Sequence, residues 1–372
     1  MRAVDLRPGR PATLAPAAEY VGGCDATDID QVAAAIAGCT AVINLVGLVS
    51  YWRQDTARLW TVNRASAASI AQACARAGVE RFVHVSSSAA LGFSNDPHRP
   101  IDEAFAFDWR SPLAKPYMVT KRAGEDAVRA AGAGRVSIAI ANPAAMYGPG
   151  DVTNTARLFT AVRDGRVRIV PPGGNAVADV RDVARGLALL LDATGRSDQF
   201  LFVGANLTFV EIVEAVGRAM GRVIRPRPLP GWARRPLCAS LRVVERFLPR
   251  DRMVAPDDLE LGFMCRYASA SRAQRELGWS PRYTFQDPLR LRGPPHGRGG
   301  TGVDQPLDPA LSCRLDDMAG REHIRAIQRR PVRPAVRDEA RRVEHHLAPA
   351  RGPLHVRRGL EVTGLHLDGE AV

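Results

Sequence analysis

Arg81-Phe-Val-His-Val-Ser86 is a short apolar run that ends in three consecutive serines, Ser86, Ser87 and Ser88. A run of this length without polar alternation is expected of a strand covered on both faces. Upstream, Thr61 to Gly78 reads as a helix that closes on a glycine. Before it, Ala41-Val-Ile-Asn-Leu-Val-Gly47 is a second continuous apolar run, again expected to be a strand buried on both faces. Earlier still, Arg2 to Leu6 reads as the end of a strand, Tyr20 to Gly23 as a short strand and Asp30 to Gly38 as a helix. Downstream, a helix begins at Pro116 and a strand spans Val136 to Asn142. Strand and helix alternate, so the fold class is α/β, a Rossmann-type doubly wound parallel sheet with helices on both faces. In such sheets the ligand lies at the carboxyl ends of the strands, where strand order reverses. Asp5, Asp25, Val46 with Gly47, Ser86 to Ser88 and Pro143 all fall at those ends.

The helix after Pro116 carries the chemistry. In Lys115-Pro-Tyr-Met-Val-Thr-Lys-Arg-Ala-Gly-Glu125, Pro116 suits the first helical turn, and Tyr117 and Lys121 stand four residues apart on one face. An ammonium beside a phenol favours the phenolate, so Lys121 is expected to lower the Tyr117 pKa and make it a usable base. Only two of the 51 basic residues are lysines, Lys115 and Lys121. A lysine kept at that place in an arginine-rich chain suggests that a compact ammonium is needed there.

These stretches resemble the extended short-chain dehydrogenase/reductases, the NAD-dependent epimerase/dehydratase superfamily. The likeness rests on Val83-His-Val-Ser-Ser-Ser-Ala-Ala-Leu-Gly92, Tyr117-x-x-x-Lys121, Asn142-Pro-Ala-Ala-Met-Tyr-Gly-Pro-Gly150 and Val177-Ala-Asp-Val-Arg-Asp-Val-Ala184, with Leu277-Gly-Trp-Ser-Pro-Arg282 resembling a closing segment. The resemblance implies an oxidoreductase in which Tyr117 is the acid/base. Lys121 binds the nicotinamide ribose, and Ser87 hydrogen-bonds the substrate oxygen, with Ser86 and Ser88 as neighbouring alternatives. It implies NAD as cofactor, with Asp5 on the adenosine ribose, Asp25 and Ala26 lining the adenine, Val46, Gly47 and Ser86 along the dinucleotide, and Pro143 on the nicotinamide side. The Asp5 charge disfavours a 2′-phosphate, so NADP is the less expected cofactor, with Arg7 moderating that preference. Asn63 is expected to be structural. The family's first strand and glycine-rich turn do not precede Asp5, and an upstream start is expected to supply them.

Nucleotide-sugar members usually carry Arg-Pro-x-Asn where this chain has Asn142-Pro-Ala-Ala145. That departure, with the apolar, aromatic Gly47-Leu-Val-Ser-Tyr-Trp52, places the resemblance nearest the 3β-hydroxysteroid dehydrogenase and dihydroflavonol reductase-like branch. The substrate is then a small molecule, steroid- or flavonol-like, with a secondary alcohol or ketone. A nucleotide-sugar epimerase or dehydratase is the first alternative, and a non-catalytic dinucleotide-binding protein or inactive fragment the second. The family also implies a homodimer through the Tyr117 helix and its neighbour.

Residues 1–205 form the expected NAD-binding domain and 206–292, with 151–176, the substrate region. Asn206 to Gly221 reads as one helix. Trp232, Leu237, Leu241, Val244 and Leu248 follow helical spacing within a basic stretch, 222–252, that holds nine arginines against Glu245 and Asp251. Packing on the core with a solvated basic face is the expectation, with an anionic substrate or a membrane surface as alternatives. Residues 293–372 contain no Phe, Tyr or Trp although the chain has 22, and disorder is expected there, from a shifted reading frame. No helix-turn-helix or aromatic-interleaved basic motif points to nucleic acid. His345-His346 lacks further ligands at sensible spacing, so no metal is expected. Six scattered cysteines without a CxxC, no signal peptide and no apolar run of about 18 residues make the cytoplasm the expected address.

Overall fold

A computed structural model describes residues 1–11, 14–148, 158, 160–162, 164–193, 198–245, 247 and 254–285. The expected disorder of 293–372, all of 149–157 and Leu248 lie outside these residues.

Strand β1 (Arg2–Asp5) pairs in parallel with β2 (Glu19–Gly22). Asp28 then caps α1 (Ile29–Ala35) by accepting from the amides of Asp30 and Gln31. Gly38, at φ 75°, turns the chain into β3 (Ala41–Asn44). The next helix is composite. It comprises α2 (Thr56–Leu59), a π-helical stretch Trp60–Ala65, and α3 (Ser66–Ala77), which ends on Gly78 in the left-handed conformation. After β4 (Arg81–Val85) come α4 (Pro116–Gly132) and β5 (Ser137–Pro143). The remaining strands are β6 (Ala145–Tyr147), β7 (Ile169–Val170), β8 (Gly174–Asp179), β9 (Gln199–Phe202), β10 (Ala205–Thr208), β11 (Arg227–Pro228) and β12 (Cys265–Arg266). The remaining helices are α5 (Val180–Asp192), α6 (Phe209–Ala219), α7 (Arg234–Val244), α8 (Pro256–Gly262) and α9 (Ser271–Leu277).

The main sheet runs β3–β4–β5–β9, parallel throughout. Alternate β4 residues serve two cores, as a pleated strand between helical layers requires. Phe82 packs with α1, α3 and Val128, while Val83 and Val85 pack with Val183, Leu187 and Leu190 of α5 and with Phe200 and Trp279. The doubly wound architecture expected from the strand–helix alternation is therefore present. A smaller sheet has β8 at its centre, with β6 and β12 parallel to it and β10 antiparallel.

Two expectations need correction. The Ala41–Gly47 strand is not buried on both faces: Ile43 is 36% and Leu45 69% exposed. Among the described residues β1 pairs only with β2, and β3 only with β4, so no central strand joins the two parallel groups. Among the described residues β3 is thus an edge strand of the main sheet. Residues 206–208 are strand rather than helix. Asn206 pairs opposite Ala176, and its amide exchanges hydrogen bonds with the Ala268 backbone. Helix α6 starts only after Thr208, whose hydroxyl forms a capping box with Glu211.

The two distant motifs of residues 177–184 and 277–282 meet. Trp279 Nε1 donates to the Asp182 carbonyl at 2.9 Å, and the buried Asp182 carboxylate accepts from the amides of Arg282 and Tyr283 at 2.9 and 3.0 Å. That contact seats the C-terminal part of the described chain on α5, beside the main sheet.

Candidate functional site

Helix α4 begins with Lys115 as its flanking residue and Pro116 in its first turn, so Tyr117 enters at the carboxyl end of the main sheet. Its ring is buried and stacks edge-on against Tyr51, with centroids 5.4 Å apart. The Ser87 side chain lies close to the phenol and favours its ionised form. Ser87 itself is held by two local bonds. Its side chain caps the short 3-10 turn Ser88–Leu91 through the Ala89 amide, and its carbonyl accepts from Asn142 Nδ2 at 2.8 Å. Of the three serines, Ser87 is the one that meets Tyr117. Ser86 has its hydroxyl buried elsewhere, and its amide extends the ladder to Ala141.

Lys121 lies one turn further along α4, with its ammonium buried and donating to the Val85 carbonyl at 3.1 Å. Burial pulls its pKa down to about 8, partly offset by the Glu125 carboxylate. Gly47 faces the same amine. A β-carbon at Gly47 would stand 3.4 Å from Lys121 Nζ and 3.7 Å from Asn63 Oδ1. Asn63 is structural, as expected. Its side-chain amide closes on the Leu48 amide at 2.8 Å and the Leu48 carbonyl at 3.0 Å, fixing the loop after β3.

The electrostatics correct the expectation for Tyr117. Its pKa is raised rather than lowered, first by burial and then by Tyr51, with Ser87 and Arg266 opposing. Helical spacing puts Tyr117 and Lys121 on one face, but the same burial that surrounds both penalises both ions. Lys121 turns its charge to the end of β4 and to Glu125.

The strand-end residues divide into two groups. Val46, Gly47, Ser86 and Pro143 lie at the ends of β3, β4 and β5, with Gly47 facing Lys121. Asp5 ends β1, and Asp25 and Ala26 lie in the turn after β2; this pair joins the rest through the core that Val21 and Ala26 share with α1 and α3. The Asp5 carboxylate is gripped by Arg7, at 2.7 Å from Nη2 and 2.9 Å from the backbone amide, and its pKa is lowered chiefly by that side-chain bond. Asp25 accepts from the Thr27 amide and hydroxyl, at 2.9 and 2.7 Å.

Several contributors had no site role assigned from the sequence. Glu125 and Asn142 bond at 2.6 Å, and Gln199 donates to both at 3.0 Å, forming a buried polar bracket behind Ser87. Burial raises the Glu125 pKa. Tyr51 and Arg266 form a second wall. Arg266 reaches the Tyr51 hydroxyl, while its Nε is buried without a hydrogen-bond partner. An apolar cluster of Phe93, Met118, Leu261 and Met264, flanked by Tyr51, Ala89 and Trp109, lines the same side of α4. Lys115 ties this wall to the helix. Its buried ammonium donates to Glu260 at 2.7 Å and stands 3.7 Å from Asp257.

Comparison with known proteins agrees with this fold. Residues 2–204 match the NAD dependent epimerase/dehydratase family. A candidate dihydroflavonol 4-reductase of Synechocystis sp. is 28% identical over 291 residues, covering 75% of this chain and 82% of that protein. A 3 beta-hydroxysteroid dehydrogenase/Delta 5-->4-isomerase of Mycobacterium tuberculosis is 28% identical over 314 residues, covering 77% and 80%. Among solved structures, UDP-glucuronic acid 4-epimerase from Bacillus cereus, in complex with NAD, superposes with a TM-score of 0.60 at 17% identity, covering 78% of this chain and 88% of that one.

Proposed function

We propose, for a chain that belongs to the NAD-dependent epimerase/dehydratase family, hydride transfer between nicotinamide and a secondary alcohol or ketone on an apolar, steroid- or flavonol-like molecule. The observation that carries this reading is the Ser87 hydroxyl against the buried Tyr117 phenol, beside an apolar wall and one helical turn from a buried lysine. The residues suit a dinucleotide at both of its ends. Gly47 leaves open the space that a larger side chain would fill in front of Lys121, where the nicotinamide ribose belongs. Asp5, Asp25 and Ala26 suit the adenosine end, with Arg7 already spread over Asp5. A nicotinamide dinucleotide held by these residues would supply the hydride for ketone reduction or take it up from an alcohol.

The chain's own groups handle the proton. With its pKa raised, the Tyr117 phenol keeps its proton at neutral pH and is set to donate it to an oxygen that gains charge as a carbonyl is reduced. Ser87 donates a second hydrogen bond to that oxygen, and the buried Lys121 ammonium supplies a fixed positive charge nearby. In the oxidative direction the same phenol accepts the hydroxyl proton once deprotonated. Water is kept out by Tyr51 and the aromatic cluster, and Asn142 and Glu125 hold Ser87 in place.

The test is NAD-linked turnover of 3β-hydroxysteroids, dihydroflavonols and UDP-sugars, with cofactor binding followed by nicotinamide fluorescence. Tyr117→Phe is expected to lower kcat by about 10²–10⁴-fold while leaving cofactor affinity unchanged. Wild-type turnover in that variant would overturn the assignment of Tyr117. Turnover confined to UDP-sugars would move the substrate class to nucleotide sugars.

A further inference from the structure

The region around α7 buries little of itself. Within the turn Gly231–Ala233 and α7, only Ala233 and Cys238 are buried. Trp232 is 78%, Val243 59% and Phe247 79% exposed, and Pro236 and Ala239 are exposed as well. Positions 232, 236, 239, 243 and 247 are spaced by three and four, so they form one stripe along the helix and the turn that follows it. Leu237, Cys238, Leu241 and Val244 lie on the other side and are at least partly buried. The helix is therefore apolar on two sides, and the outward one has no cover among the described residues.

Scattered exposed apolar residues are ordinary, but an aligned set containing Trp and Phe is not. The segment that carries it is basic. Arg235 is exposed on α7, Arg222, Arg225 and Arg227 are exposed in the stretch before it, and 222–247 holds seven arginines against the single acid Glu245. An apolar stripe with indole and phenyl groups in an arginine-rich segment has the composition of a helix lying in a membrane interface. There Trp sits at headgroup depth, and arginine stems lie along the apolar layer with their charges on lipid phosphates. A second copy fits less well, because two such faces packed together would set arginine-rich surfaces against each other. Nucleic acid would meet the arginines but leave Val243 and Phe247 in water.

We propose that the outward face of α7, from Trp232 to Phe247, is a docking surface for an anionic lipid bilayer, on which the protein lies without spanning it. Among the described residues no helix is long and apolar enough to cross a membrane. The inner side of α7 is anchored to the core. Arg242 pairs with Glu260 at 3.1 Å, and Glu260 holds Lys115 at the start of the Tyr117 helix. The surface is thus fixed relative to the candidate site, and this inference does not depend on the substrate assigned above.

Flotation of the full chain with vesicles of phosphatidylcholine, alone or mixed with phosphatidylglycerol, tests it. Binding is expected to the mixed vesicles at low salt, and much less to phosphatidylcholine alone or at high salt. The double variant Trp232→Ser with Phe247→Ser should bind about tenfold more weakly or less. Arg234→Gln with Arg235→Gln should lose about fivefold per arginine. All of these side chains are outside the proposed site, so cofactor titration should be unchanged in both variants and reports that they are folded. No binding by the wild type overturns the proposal, and so does undiminished binding by the Trp232/Phe247 variant. A wild-type dimer that this variant converts to monomer, without vesicle binding, would instead make the face a self-association surface.

Discussion

Replacing Lys121 by methionine separates what the site needs from what the fold tolerates. In an unfolded chain the amine holds its proton up to its ordinary value of 10.5, but in the folded protein it releases it near 8. Below pH 8 both states are protonated, and the folded state carries the full cost of a buried ammonium. At about 1.4 kcal/mol per tenfold change in proton affinity, that cost is about 3 kcal/mol. Between pH 8 and 10.5 the unfolded chain binds more protons than the folded one, so this contribution makes stability rise with pH. Lys121→Met keeps the apolar stem and removes the charge, but it also takes from the Val85 carbonyl its ammonium donor, a loss of about 1–3 kcal/mol. At neutral pH the two effects nearly cancel, and the variant should fall within about 2 kcal/mol of wild type. The pH dependence carries the decisive number. From pH 7 to 10.5, urea midpoints should show the wild type gaining about 3 kcal/mol relative to the variant. Turnover should be lost in the variant throughout. Parallel stability curves would refute the reasoning and show that the buried amine titrates as it does in water.

His84 offers the acid-side counterpart. Burial, followed by Lys121 and Arg129, pulls its pKa down to about 3 from 6.5, so stability present above pH 6.5 is lost as the pH falls towards 3. By pH 5 the loss is about 2 kcal/mol, and His84→Gln, which keeps an acceptor for Asn44 Nδ2, should flatten urea midpoints between pH 7 and 5. Gly124 sits where α4 crosses the π-helical stretch, and a β-carbon there would clash with the Asn63 carbonyl oxygen. Gly124→Ala should therefore cost about 1–3 kcal/mol, read as a lowered melting temperature, and an unchanged melt would show that the helices can separate freely.

Much of the fold was legible because its signals are local. The apolar runs at 41–47 and 81–86, the glycine stops at Gly38 and Gly78, and Pro116 before a helix each depend on a few neighbouring residues, and all became strands, helix ends or a helix start. The site was legible in part for the same reason. Strand ends bring Ser86 to Ser88 to the mouth of the sheet, and helical spacing brings Tyr117 and Lys121 to one face of α4.

Tertiary structure decided the rest. Which serine meets the phenol depends on the short turn that follows Ser87 and on Asn142, 55 residues away. Tyr51, Arg266 and the Glu125–Asn142–Gln199 bracket are assembled from separate elements, and though Tyr51 and Asn142 fall in stretches the sequence singles out, no local pattern reports these contacts. The sign of the Tyr117 shift went against the sequence reading because spacing along a helix reports which groups are neighbours, while a pKa also depends on how much water surrounds them. The exposed side of β3 has the same origin, since an apolar run states what a strand can bury and its neighbours decide what it does bury. Local sequence determined the elements and the residue types at their ends, because periodicity and capping act over a few residues. Burial, and with it charge state, was decided only when the whole chain came together, because solvation depends on every element that packs around a group.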